Sequence, residues 1–281
     1  MNTPTSEQVG TPLVHLERQG AIAFITLDRP ATRNSFDLTM GLALRDVVRS
    51  LVANPPRVVV LRSSSAHFMV GGDVKHFDTL LGVSRASCAE ALEQLISAVN
   101  EAVIGLTQLP CPVLGLISGS AAGFGMSLAM ACDILVAAED ANFVLAYSAI
   151  GATPDGGGTW HLPRHVGLHR AMAIALLNPK IDAVQAKEIG LVTEVVPVCE
   201  LQAAGLAMAQ RLANGPASAQ AGIKRLLRDG LDTNLAAALE AEKATFIEMS
   251  ATPDFAEGVS AFCQRRKPDF GASLLNKLEC L

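Results

Sequence analysis

The chain has 281 residues, half of them apolar and 17% charged, with a net charge of -5. Its mean hydropathy is +0.34 and its pI about 5.7. These values exclude a disordered chain and argue against a sequence-independent grip on nucleic acid, which needs clustered Lys and Arg. The low aromatic content, 4% with one Trp and one Tyr, argues against a base-stacking platform as well. The length fits one large domain or two smaller ones.

The opening MNTPTSEQVG lacks the basic and apolar stretches of a secretory signal. None of the six cysteines lies within four residues of another, so no CxxC-type zinc site exists, and most read as small buried hydrophobes. The expectation is a cytoplasmic protein in a reducing compartment. A hairpin then follows: VHLER alternates, Gln19 and Gly20 turn, and AIAFITLD returns as an apolar run. After the polar loop RPATRNSF, apolar residues at helical spacing predict a helix over 37–53, capped by Ser35 or Asp37. RVVVLRS (57–63) is a buried strand. A loop with Gly71 and Gly72 comes next, then a long helix over 86–107, which Pro110 and Pro112 stop.

Residues 113–132 carry no charge and are long enough to nominate a membrane helix. Four glycines, three serines and the absence of Lys or Arg from 86 to 163 argue instead for a strand, a glycine loop and a buried helix. Strands DILVAAE and NFVLA follow, then the loop ATPDGGGTW, a helix over 168–178 and the strand VTEVV. From 199 the pattern turns helical, over 199–213, 216–229, 232–249 and 253–265. The chain therefore divides into an α/β part (1–198), a helical part (199–270) and a tail (271–281) whose texture suggests a vector scar.

Three segments invite chemistry. The loops HFMVGGD (67–73) and SGSAAGFG (118–125) each follow a buried strand and precede a helix. Such loops either pack a helix tightly on a sheet or aim backbone N–H groups into a cleft as an oxyanion hole. Neither fits a P-loop or a dinucleotide fingerprint. Ser127 in GMSLA falls short of the GxSxG nucleophile pattern. In the third segment, ATPDGGGTWHLPRHVG, Asp155 reads as a helix cap or as a general base beside an apolar cleft. His161, His165 and His169 have metal-ligand spacing, but Pro163 and Gly167 interrupt the face. The basic groups KRLLR (224–228) and RRK (265–267) read as solvated faces that could reach a phosphate.

Taken together, LDRPATRNSF, HFMVGGDVKHF, the glycine loop through ACDILVAAEDANF, PDGGGTWHLPRHVG, AKEIGLVTEVV and FCQRRKPDF resemble the crotonase (enoyl-CoA hydratase/isomerase) superfamily over residues 14–270. The resemblance implies a crotonase-like α/β spiral of repeated ββα units with a C-terminal helical trimerisation region, assembled as a homotrimer or a dimer of trimers. It implies an acyl-CoA thioester as substrate, with no metal and no cofactor beyond the coenzyme A that the substrate carries, and neither nucleic acid nor membrane as partner. It places the oxyanion-hole N–H groups at Val70 and Phe124, where smaller residues are usual. Gly71, Gly72, Asp73, Gly123 and Tyr147 fall among the substrate-binding positions. Arg33 and Lys267 match basic positions near coenzyme A, and Phe262 matches a residue that closes the pocket.

The two hydratase glutamate positions hold Ser127 and Tyr147, while Asp155 matches a working carboxylate of isomerase branches. PDGGGTW.LPR..G looks most like the phenylacetate-type isomerases. A dehalogenase needs a His on the long helix, which has none. The expected activity is an acyl-CoA isomerase, shifting a double bond or isomerising a ring epoxide through an oxyanion-hole-stabilised thioester enolate, with Asp155 as proton shuttle. Alternatives are a hydratase with non-standard groups, an acyl-CoA hydrolase and a non-catalytic acyl-CoA binding protein.

Overall fold

The computed structural model describes residues 13–270; the N-terminal MNTPTSEQVG segment and the 271–281 tail lie outside them. Strands β1 (Val14–Gln19) and β2 (Ile22–Leu27) form the hairpin, followed by α1 (Leu38–Ala53), β3 (Val58–Ser63), α2 (Val74–Leu80), α3 (Arg85–Gln108), β4 (Val113–Ile117), β5 (Ser120–Ala122) and α4 (Phe124–Met130). Next come β6 (Ile134–Ala138), β7 (Asn142–Val144), α5 (Gly158–Val166), α6 (Leu168–Leu177), β8 (Ile181–Asp182), α7 (Ala183–Glu188) and β9 (Glu194–Val196). The chain then turns helical: α8 (Leu201–Ala213), α9 (Ala217–Asp229), α10 (Leu235–Ser250) and α11 (Pro253–Cys263).

The larger sheet runs in the order β1-β2-β3-β4-β6-β9, parallel apart from the β1–β2 hairpin. Its central strands are apolar on both faces because helices cover both. The period-two rule divides them cleanly. Ala23, Ile25, Val59, Leu61, Val113, Ile117, Leu135 and Ala137 face the core shared with α1 and α3. Phe24, Val58, Val60, Leu114, Leu116, Val136 and Ala138 face Leu201, Ala209 and Ala213 of α8. The apolar stretch 113–132 is thus β4, β5 and α4, and among the described residues no helix is long and apolar enough to cross a membrane.

The helical part is tied to the sheet at Asp133. Its carboxylate accepts from the Val113 N–H at 2.8 Å and pairs with Lys224 at 2.8 Å and Arg228 at 2.7 Å. Arg225 donates to Thr245, and Arg266 pairs with Glu257. Lys224, Arg225 and Arg228 are therefore internal staples rather than free phosphate ligands, whereas the Arg266 pair lies at the surface beside exposed Arg265 and Lys267. Cys111 and Cys132 are buried, whereas Cys88 is half-buried and Cys199 and Cys263 are exposed.

Helix boundaries largely follow the periodicity. Asp37 caps α1 by accepting from Met40 N–H, as expected. Four elements depart from it. Residues 120–122, expected as loop, form β5, which joins β7 and β8 in a second small sheet. Helices α2 and α7 and strand β8 had no counterpart in the periodicity.

Candidate active site

The two glycine loops are sewn to one another. Phe68 N–H donates to Ser118 O, Met69 N–H to Ser120 O and Ala122 N–H to Met69 O, at 2.9, 3.0 and 2.9 Å. The approach is so close that a Cβ on Gly71 would stand 3.0 Å from Ala122 O, and φ there is +88°. Asn34 fixes the first loop from behind. Its fully buried amide donates to Ser63 Oγ and to the carbonyls of His67 and Phe68, and its Oδ1 accepts from Arg29 N–H. Sequence reasoning passed over Asn34. Its signal was an Asn at a loop position, where a left-handed φ of 57° is tolerated.

Between these loops, α2 and α3 lies a cavity of about 1050 Å³. Its walls are largely apolar, with Phe36, Phe77, Leu92 and Ile96 among them, and it is lined also by Val70, Gly71, Gly72, Gly123, Phe124, Tyr147 and Asp155. Two carboxylates border it: Asp78, which is exposed, and Asp155, which is half-buried.

The backbone donors differ from the expectation at one position. Val70 N–H is already occupied, donating to Arg33 O at 3.2 Å. Gly72 N–H and Phe124 N–H, by contrast, make no hydrogen bond among the described residues. Phe124 is the first residue of α4, where a helix leaves its N–H groups unpaired and its dipole positive. The Phe124 ring is buried, tilted against Phe36 at 4.8 Å, and packed where any side chain on Gly156 would sit. It is part of the wall that sets the Asp155 loop beside α4.

Asp155 is held by the side chain of Tyr147, whose O–H donates to Asp155 Oδ1 at 2.5 Å. Ser127 Oγ lies 3.3 Å from the same phenol oxygen. Burial raises the Asp155 carboxyl above the usual carboxylate range, and the Tyr147 hydrogen bond opposes that rise. Burial likewise raises the phenol, assisted by the neighbouring carboxylate, so Tyr147 stays protonated. Ser127 is fully buried inside α4, which removes it as an accessible hydrolase nucleophile.

Other expected site residues take different places. Asp73 caps α2 by accepting from His76 N–H and pairs with Arg29 at 3.6 Å; it does not line the cavity. Arg33 is exposed beside the first loop and contributes its carbonyl to that loop. Phe262, 86% exposed, and exposed Lys267 are not brought to the cavity within this chain. His161 and His165 stack at 6.2 Å, and burial drives His161 down to about 3. Among the described residues no three His, Cys, Asp or Glu groups could hold a metal ion together.

The sequence profile of the enoyl-CoA hydratase/isomerase family matches residues 17–273. The chain belongs to the enoyl-CoA hydratase/isomerase (crotonase) family. Within this family it is 36% identical over 264 residues to the "Probable enoyl-CoA hydratase" of Rhodobacter capsulatus, covering 92% of this chain and 97% of that one. It is 33% identical over 259 residues to the 1,2-epoxyphenylacetyl-CoA isomerase of Escherichia coli, with the same coverage. The crystal structure of the enoyl-CoA hydratase from Mycobacterium smegmatis superposes with a TM-score of 0.85 at 29% identity, covering 92% of this chain and 99% of that chain. The fold is thus the crotonase α/β fold, in a family that acts on acyl-CoA thioesters.

Proposed function

We propose that the protein is an acyl-CoA isomerase in which Asp155 carries the proton between two carbons of the acyl chain. The observation that carries this reading is the carboxylate count: among the described residues lining the cavity, Asp155 is the one carboxylate that is not exposed, and its neighbours Tyr147 and Ser127 are neutral. Water addition calls for an acid and a base acting together, whereas double-bond migration needs a single group that takes a proton and returns it.

In the proposed reaction the Asp155 carboxylate removes a proton from the α-carbon of a 3-enoyl thioester. The electron pair moves toward the thioester oxygen, giving a dienolate. Gly72 N–H and Phe124 N–H donate to that oxygen; a donor of this type is worth about 3 kcal/mol. Protonated Asp155 then delivers the proton to the γ-carbon, leaving the 2-enoyl thioester. Burial suits Asp155 to both roles, because a raised carboxyl is a better base and still gives the proton up. No cofactor is required beyond the coenzyme A of the substrate. Ring-epoxide isomerisation is the second form of this reading, in keeping with the name of the 1,2-epoxyphenylacetyl-CoA isomerase relative.

The large exposed residues Phe246 and Ile247 on α10 and Phe262 on α11 support self-association, read here as a homotrimer or a dimer of trimers with Phe262 and Lys267 at a subunit boundary. The free Cys111 and Cys132 are in keeping with a cytoplasmic protein. The test is incubation of the enzyme and its Asp155→Asn variant with 3-enoyl-CoA. Conversion to the 2-enoyl isomer by the wild type, reduced about 10²–10⁴-fold in the variant, supports the proposal. A 3-hydroxyacyl product made by both proteins overturns it in favour of a hydratase.

A further inference from the structure

We propose that Tyr147 is the positioning residue of this site: its phenol fixes one oxygen of Asp155, assigns the other to the substrate, and keeps the carboxylate ionised inside an apolar cavity. The inference rests on the proton-shuttle reading above.

Three observations support it. The first is the direction of the hydrogen-bond chain. A phenol has one hydrogen, and at 2.5 Å that hydrogen lies on the path to Asp155 Oδ1. Ser127 Oγ, 3.3 Å away, must therefore donate to the phenol oxygen. The chain runs Ser127 to Tyr147 to Asp155 and ends on an acceptor. Oδ1 can accept whether or not the carboxyl carries a proton, so protonation during turnover falls to Oδ2.

The second is how rigidly the phenol is held. Tyr147 opens a short 3-10 turn, residues Tyr147–Ile150, and is 9% exposed. The residue before it, Ala146, has φ 62°, and its N–H donates to Asn178 Oδ1 at 2.7 Å. Asn178 terminates α6, so the turn is pinned to a helix end.

The third is the lack of any competing stabiliser among the described residues. From α4 only Ser127 reaches the pair. From α5, His161 packs against Gly157 and is held neutral by burial. From α2 and α3 the cavity receives exposed Asp78, the Cys88 thiol and Asn100, none of which is a cation. Besides its own backbone N–H, the phenol is the donor that favours the ionised form of Asp155.

The test is Tyr147→Phe, which keeps the ring and deletes one oxygen. Its kcat/KM with 3-enoyl-CoA should show an acidic limb about one pH unit higher than in the wild type, because the carboxylate loses a donor to its charged form. The plateau kcat should fall several-fold with KM nearly unchanged, and Ser127→Ala should move the limb the same way by less. A second readout is independent of turnover. Tyr147 is the chain's single tyrosine, so ¹³Cζ-tyrosine labelling gives one site resonance. That resonance should titrate with the midpoint of the acidic limb in the wild type and lose the titration in Asp155→Asn. An unmoved limb in Tyr147→Phe, or a resonance that ignores Asp155, overturns the proposal. Full turnover by Asp155→Asn with the resonance still tracking Asp155 in the wild type would instead sink the proton-shuttle reading and leave the Tyr147–Asp155 link standing.

Discussion

Gly125, the second residue of α4, is where packing and chemistry meet. A methyl group there would stand 2.2 Å from the Met69 carbonyl oxygen and 2.9 Å from its carbon. The oxygen approach falls about 0.8 Å short of the 3.0 Å that real Cβ atoms respect. Met69 cannot yield freely, because its N–H and carbonyl both serve the stitch between the two glycine loops. Relief requires α4 to retreat or the stitch to open, and either motion displaces Phe124 N–H. Misplacement of a reacting group by about 1 Å costs on the order of 10²-fold in rate. Gly125→Ala should therefore lose about 10²-fold in kcat on 3-enoyl-CoA. Overpacking should also cost about 1–3 kcal/mol in denaturant unfolding. Gly20→Ala is the control: it sits at φ +58° with open space around it, so it should lower stability slightly without touching kcat. A Gly125→Ala enzyme that keeps more than about a third of wild-type kcat with an unchanged unfolding midpoint would refute the argument.

Three further outcomes follow from buried charge. Asp133→Asn removes the counter-charge of Lys224, whose side chain is only 9% exposed and keeps only its bonds to the Cys111 and Leu106 carbonyls, so urea unfolding should report a loss of about 3 kcal/mol; a loss below about 1 kcal/mol would mean that the staple is idle. His161 is held down to about 3 from an ordinary 6.5, so the unfolded chain binds its proton first as pH falls. Stability should drop by up to about 1.4 kcal/mol per pH unit from His161 between 6.5 and 3, and His161→Gln should flatten that slope. Asp155 has the opposite sign: its folded carboxyl is raised, so ionisation opposes folding above the ordinary carboxylate range. Asp155→Asn should melt higher than the wild type at pH 7, with the gap closing below about pH 4; a gap that persists at low pH would contradict this origin.

The long elements were legible because their periodicity is set by large cores. β3 reads as VVVL because α1 and α3 cover one face and α8 the other. β5 was not legible. Ser120, Ala121 and Ala122 carry no strand signature of their own, and they become a strand only through pairing with β7, some twenty residues on. α2 had a readable cap in Asp73, which a family-based substrate-binding role obscured. Asp155 reads from composition as a helix cap or a base, and only the family resemblance favours the base; the N-cap of α5 is Gly157, with no side-chain cap. The contact of Asp155 with Tyr147 was not legible: the two are eight residues apart across a 3-10 turn and a loop, and no helix or strand period relates them. The occupied Val70 N–H was equally hidden, since its acceptor, Arg33, lies in a different loop.

In the proposed mechanism one carboxylate moves one proton from the α-carbon to the γ-carbon. The direct measurement is turnover of 3-enoyl-CoA deuterated at the α-carbon, in ordinary water, with the product read by mass spectrometry at early times. Retention of part of the label at the γ-carbon in the wild type, with turnover lost in Asp155→Asn, is the predicted result. Products carrying only solvent hydrogen at the γ-carbon from the earliest time point, formed equally well by Asp155→Asn, would contradict it.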